Sequence, residues 1–227
     1  MDLSHTSQLH DQRIQQRYLS MRPTILFMLC LLMGCARLPA GDVSELSHPS
    51  HPNVILVRGF LDWYSTGIDQ LATELRAAGV PCLVYREDQW RQVAEQLSQH
   101  PQQPTVLIGF SYGADDVILI ARQLSEAKKS VDLLITIDPV TPADIPPNTR
   151  RCCDFYQSNG FWDIFPWLRG TPVNGSGAIE NINLRNRPDL LEPGTSHATI
   201  AANPKLHAAI GRLVLETIHR SRGEQIP

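Results

Sequence analysis

One serine stands where its hydroxyl could act as a nucleophile: Gly109-Phe110-Ser111-Tyr112-Gly113. The run Thr105-Val106-Leu107-Ile108 leads directly into it, and a helical pattern follows from Ala114. A G-x-S-x-G sequence between strand and helix is the setting of a tight turn that thrusts the serine Oγ outward and aims the next helix N-terminus at it. Glycine is needed on either side because Cβ atoms would collide inside so sharp a bend. A neutral hydroxyl attacks poorly, so such a serine needs a base beside it, and the base needs an orienting group. Attack on a carbonyl also needs two N–H donors for the developing oxyanion. Downstream of Ser111 the candidate bases are His197, His207 and His219. His207 and His219 fall within a terminal helical pattern and read as surface residues. His197 lies in the polar loop Gly194-Thr195-Ser196-His197-Ala198-Thr199.

The elements that must position these residues alternate along the chain. Val54-Ile55-Leu56-Val57 is a short β-branched run of the kind found in parallel strands buried on both faces. A helix is predicted from a Ser65 cap to Ala78, with Ile68, Leu71, Leu75 and Ala78 on one face and Gly79 and Pro81 ending it. Cys82–Tyr85 is the next strand and Gln89–Gln99 the next helix, with Trp90, Val93, Ala94 and Leu97 inward. After Thr105–Ile108 and the helix Ala114–Ser125 come strands at Val131–Ile137, Cys152–Gln157 and Ala178–Leu184. Asn203-Pro204 opens a last helix, with Leu206, Ile210, Leu213 and Val214 as its buried stripe. Such alternation predicts an α/β fold, a mostly parallel sheet with helices on both faces. In such sheets chemistry gathers at the carboxyl ends of the strands.

On the strand–elbow–helix around Ser111 the chain resembles the α/β-hydrolase superfamily at large, with lipase- and thioesterase-like features, over most of Val54 to Ile218. The resemblance implies an α/β-hydrolase fold with a minimal lid and the chain order serine, acid, histidine. His197 then becomes the base, because these hydrolases carry it in the loop before the last helix. The oxyanion donors would be the amide of Tyr112 and an amide of the loop after the first strand, Arg58-Gly59-Phe60, with Phe60 the candidate. That loop commonly reads His-Gly; here Arg58 departs from the pattern and Gly59 keeps it. Asp138, at the end of Leu133–Ile137 and before Pro139, resembles the acid of some lipases and thioesterase domains. Most members place the acid one strand later, where this chain reads Gln157-Ser158-Asn159 and reaches Asp163 only afterwards. Asp138 is therefore the first choice and Asp163 the alternative. Asp115 and Asp116 are expected to stabilise the N-terminus of their helix. No cofactor is expected.

The first residues carry an address. Residues 1–20 are polar and lack apolar periodicity; from Met21 the chain turns apolar, with Arg22 ahead of Ile25–Met33. That run is too short to cross a bilayer, which takes about 20 residues, and has the flanks of a secretory signal. Its end, Leu32-Met33-Gly34-Cys35, resembles a bacterial lipoprotein signal, which implies lipidation at Cys35, a membrane anchor and a place in the cell envelope. Met21 is an alternative start. Residues 36–53 read as a tether, with His48 and His51 as solvated linker residues, and 54–227 as the hydrolase domain.

A formal net charge of −3 over 227 residues, without a long run of Lys or Arg, argues against a nucleic-acid groove. Of the five cysteines, none forms a CxxC pair, so no metal site is expected. The predicted function is hydrolysis of a carboxylic ester or thioester through an acyl-enzyme on Ser111. A peptidase or amidase with the same residues, or a non-catalytic binding protein on this fold, are the alternatives. The aromatic stretch Asn159–Leu168 reads either as a cap gripping an acyl chain or as a plug at the sheet edge. With Phe60–Tyr64, it leans the substrate towards a small or lipid-like acyl compound.

Overall fold

The computed structural model describes residues 39–43, 53–60, 65–100, 103–157 and 170–223. The readings of Cys30, Cys35, His48, His51, Trp63, Tyr64, Asp163 and the aromatic stretch, including any lid, lie outside these residues.

Six parallel strands form one sheet: β1 (Asn53–Val57), β2 (Leu83–Tyr85), β3 (Thr105–Phe110), β4 (Leu133–Ile137), β5 (Arg151–Tyr156) and β6 (Ala178–Asn183), in the order β2-β1-β3-β4-β5-β6. Among the described residues four long helices accompany them: α1 (Thr66–Ala77), α2 (Trp90–Gln99), α3 (Tyr112–Glu126) and α4 (Pro204–Arg222). Alternate strand residues pack on opposite sides. Leu56, Ile108, Ile135 and Phe155 meet α1 and α4 through Ile68, Leu71, Ile210 and Val214. On the other side Ile55, Leu107 and Leu134 meet α2 and α3 through Val93, Leu97, Val117 and Leu124. This is an α/β fold with both sheet faces covered, as the unbroken apolar runs predicted. Burying a side chain such as Leu107 or Ile108 completely is worth about 2 kcal/mol each, so the central strands form a stiff platform.

Local signals act where expected in most places. Asn203 caps α4, its Oδ1 accepting from the amides of Lys205 and Leu206, and Pro204 follows at the first helical position. Gly79 takes a left-handed φ of 81° after α1. A 3-10 turn, Glu87–Gln89, leads into α2. Within the expected tether, the Gly41 amide donates to the Val84 carbonyl and the Tyr85 hydroxyl to the Asp42 carbonyl. Residues 39–43 are thus tied to the rim of β2. No helix among the described residues is long and apolar enough to cross a membrane.

The register fixes what stands beside what. Phe110 pairs with Ile137 and Ile137 with Phe155. The residues that follow β1, β3 and β4 therefore emerge side by side at one edge.

Candidate active site

Ser111 is the first residue after β3 and the one before α3. Its backbone stands at φ 55°, ψ −124°, a region that costs of order 1–3 kcal/mol for a residue with a side chain. The sheet holds it there: the Ser111 amide donates to the Ile137 carbonyl at 2.9 Å. Both flanking glycines are required by backbone rather than by taste for flexibility. A Cβ at Gly109 would overlap the carbonyl of Gly113, and one at Gly113 would overlap the carbonyls of Val57 and Arg58. The turn is cramped because β1 and α3 touch through it.

His197 arrives from the loop before α4. The turn that carries it is closed by the amides of Thr199 and Ile200 donating to the Ser196 carbonyl. Ser111 Oγ lies 3.0 Å from His197 Nε2, and His197 Nδ1 lies 3.2 Å from Asp138 Oδ2. The imidazole packs beside the Phe110 ring, centroids 5.2 Å apart. A carboxylate can only accept, so Nδ1 carries a proton and Nε2 presents its lone pair to the serine hydroxyl.

Asp138 follows β4 in a left-handed conformation, φ 47°, with its amide donating to the Phe155 carbonyl. Its side chain is fully buried. Oδ1 accepts the Gln157 amide at 2.6 Å, which leaves Oδ2 for His197. Gly170 lies against this carboxylate so closely that a Cβ there would overlap Oδ1. Asp138 is thus the carboxylate that the structure brings to His197 among the described residues.

The loop after β1 runs along the other flank of Ser111. A Cβ on Gly59 would stand 3.0 Å from the Ser111 Cβ and 2.9 Å from the Phe110 carbonyl. The Phe60 and Tyr112 rings meet edge to face, centroids 6.0 Å apart. The two residues expected to serve the oxyanion therefore flank Ser111 on adjoining segments, with Tyr112 opening α3, where the helix dipole favours negative charge.

Several residues around this site make contacts that their place in the sequence does not announce. Ser65 stands at the N-cap of α1 without making a side-chain cap bond; its Oγ instead accepts the Gly59 amide at 3.0 Å and so pins the loop after β1. Arg58 is buried and makes a bidentate pair with Asp69 of α1, at 2.9 and 2.6 Å, while donating to the Pro39 carbonyl. Asp115 accepts from the amides of Val140 and Thr141 and from the Thr141 hydroxyl, which clamps the loop leaving Asp138. Its neighbour Asp116 is fully buried. His207, expected at the surface, is 2% exposed, in phase with Ile210 and Val214 on the inner face of α4. Its helical spacing from those two residues was the available signal.

Beneath Asp138, in the row where Thr136 pairs with Asp154, burial pushes the Asp154 carboxyl from the usual 3.8 up to about 8. The Thr136 hydroxyl, donating to it at 2.7 Å, works the other way. Nearby Asp138 and Asp115 add to the rise. Cys82, Cys152 and Cys153 are free and buried, with their thiols raised by burial. No group of three or more His, Cys, Asp or Glu among the described residues is placed to hold a metal.

No family model matches the chain, and no curated protein matches it. Solved structures with a similar course include the type II thioesterase BorB from the borrelidin biosynthetic cluster, at 13% identity and TM-score 0.45, covering 80% of this chain and 98% of that one. The NocB thioesterase domain, in covalent complex with a fluorophosphonate nocardicin G analog, is similar at 14% identity and TM-score 0.43, covering 79% and 96%. The surfactin-cyclising thioesterase domain SrfTE is similar at 10% identity and TM-score 0.41, covering 78% and 93%.

Proposed function

We propose that this chain is a serine hydrolase that cleaves a carboxylic ester or thioester through an acyl-enzyme on Ser111. The observation that carries the reading is the relay of Ser111 Oγ to His197 Nε2 at 3.0 Å and His197 Nδ1 to Asp138 Oδ2 at 3.2 Å, on a serine in strained backbone. His197 Nε2 takes the hydroxyl proton as Oγ attacks the acyl carbonyl carbon. Asp138 holds the ring and stabilises the imidazolium that forms, without itself taking the proton. The amides of Phe60 and Tyr112 receive the oxyanion. Collapse expels the alcohol or thiol, protonated from Nε2, and leaves the acyl group on Oγ. A water then gives its proton to Nε2, attacks the ester, and releases the acid with Ser111 restored.

A fluorophosphonate probe tests the nucleophile. Labelling of the wild type that disappears in Ser111→Ala supports the reading; labelling untouched by that change refutes it. Aryl esters, acyl thioesters and peptide amides then sort the chemistry, and cleavage of amides alone would overturn the ester or thioester assignment. The lipid anchor at Cys35, the envelope location and the small or lipid-like acyl substrate belong to the same proposal. The first two rest on the Met21–Cys35 sequence, and the intact mass of the membrane-fraction protein tests them.

A further inference from the structure

Ser111 and Asp138 are fixed by neighbouring strands, whereas His197 sits on a turn outside the sheet. What holds that turn at the right height is a separate question, and His207 answers it. The 3-10 turn Ile200–Ala202 begins three residues after His197 and joins it to α4. Two contacts from different elements meet at Ala201. Gly67 of α1 lies against it so tightly that a Cβ would overlap the Ala201 carbonyl. His207 reaches back from the first turns of α4 and places Nε2 2.6 Å from the same carbonyl oxygen. The other ring nitrogen, Nδ1, lies 3.1 Å from Glu74 Oε2, two turns further along α1.

Both partners of this ring are acceptors. A backbone carbonyl has no proton to give, and neither has a carboxylate that is half exposed to water, as Glu74 is at 46%. A histidine between two acceptors must donate from both nitrogens, and only the imidazolium does so. The start of α4 is an unfavourable place for a cation because of the helix dipole, so Glu74 and the Ala201 oxygen supply the compensating negative charge.

We propose that His207 is a positioning residue for His197: held as an imidazolium between Glu74 and the Ala201 carbonyl, it fastens the histidine-bearing turn to α1. The same helix fastens the opposite wall of the site, through Ser65 on the Gly59 amide and Asp69 on Arg58. α1 therefore sets the spacing between the oxyanion loop and the base. The proposal rests on the serine-hydrolase reading, in which that spacing governs the rate.

The test uses the full chain, labelled with nitrogen-15. A long-range proton–nitrogen spectrum of the imidazoles is expected to show His207 with both nitrogens protonated; a ring with one bare nitrogen overturns the proposal. Two variants then separate positioning from mere packing. In His207→Gln the side-chain amide can still donate to the Ala201 carbonyl, and Ser111 labelling by a fluorophosphonate should stay within about threefold of wild type. In His207→Asn the donor falls short, and labelling should slow by about tenfold or more, since an ångström of misplacement costs up to about a hundredfold. Amide exchange at Ile200 and Asn203 should quicken only in the asparagine variant. Equal rates for the two variants, fast or slow, would overturn the assignment. A wild type that takes no probe would instead mean that the hydrolase reading has failed, and the ring spectrum and amide exchange would then decide the His207 contact alone.

Discussion

Asp138→Asn changes one atom and, in this structure, should disable the base through a chain of hydrogen bonds. The Gln157 amide donates to Oδ1 at 2.6 Å, so an asparagine must put its carbonyl oxygen there and turn its NH2 towards His197. An N–H donor now faces Nδ1, which has to become an acceptor. The ring proton moves to Nε2, the nitrogen that lies 3.0 Å from Ser111 Oγ. The serine hydroxyl then confronts a donor where it needs a lone pair. Because the Gln157 amide is backbone of a strand end, the asparagine cannot escape by flipping. The same tautomer error costs about 10⁴ in rate where a serine-hydrolase acid is made an amide, which is roughly 5 kcal/mol of transition-state stabilisation. The replacement is isosteric, so the fold should persist. The assay is the second-order rate constant for phosphonylation of Ser111, with circular dichroism and urea unfolding as controls. A folded Asp138→Asn protein that labels within about threefold of wild type would refute the tautomer argument. So would a comparable loss in Asp163→Asn, which would move the acid to the alternative carboxylate.

Two further perturbations probe the surroundings of the acid. Gly170→Ala puts a methyl group into the space of the Asp138 carboxylate. Labelling should fall by about a hundredfold or more, while the unfolding free energy drops by the roughly 1–3 kcal/mol typical of overpacking; unchanged labelling in a folded protein would show that the carboxylate can move aside freely. Asp154 carries a pH dependence of stability. Its folded carboxyl holds a proton up to about pH 8, whereas in the unfolded chain it ionises near 3.8. Between those values the native state binds the extra proton, so Asp154's contribution to stability is whole below 3.8 and is lost as pH rises towards 8, by up to roughly 1 kcal/mol per pH unit. Asp154→Asn, which mimics the neutral acid and can keep the Thr136 bond, should flatten the urea midpoint between pH 5 and pH 8. Parallel wild-type and variant curves would contradict it.

The sheet and the elbow were legible because their causes are local. Strands buried on both faces must be apolar at every position, as Leu107-Ile108 and Leu134-Ile135 are, and a bend that crushes Cβ atoms must carry glycine at 109 and 113. The cap of α4 was readable for the same reason. What escaped is polar contact between distant segments. Ser65 has the chemistry of a helix cap, and from sequence that local use comes first; in the fold the Gly59 amide competes for its oxygen and takes it. Arg58 departed from the familiar His-Gly pattern without any hint that Asp69, eleven residues on, would hold it. Nothing about Gly170 in the sequence signals that a carboxylate leans on it. His207 is a different case: Ile210 and Val214 put its side of α4 against the core, and that helical phase outweighs the polarity of its residue type.

These misses share a location, and the location has a physical cause. Ser111 and Asp138 are held by the sheet itself, since the Ser111 amide bonds to the Ile137 carbonyl one residue before Asp138. Their separation is therefore as stiff as a strand pair. His197 has no strand to fix it, and its turn must be steadied by groups that satisfy polar atoms across α1 and α4. Such contacts leave no periodic trace because each is a single pair, chosen by the packing of two elements rather than by either one. It follows that changes in α1 should disturb the base and the oxyanion loop together while leaving the Ser111–Asp138 spacing intact, because α1 reaches those two loops through Glu74, Gly67, Ser65 and Asp69 and the sheet alone spans the third side.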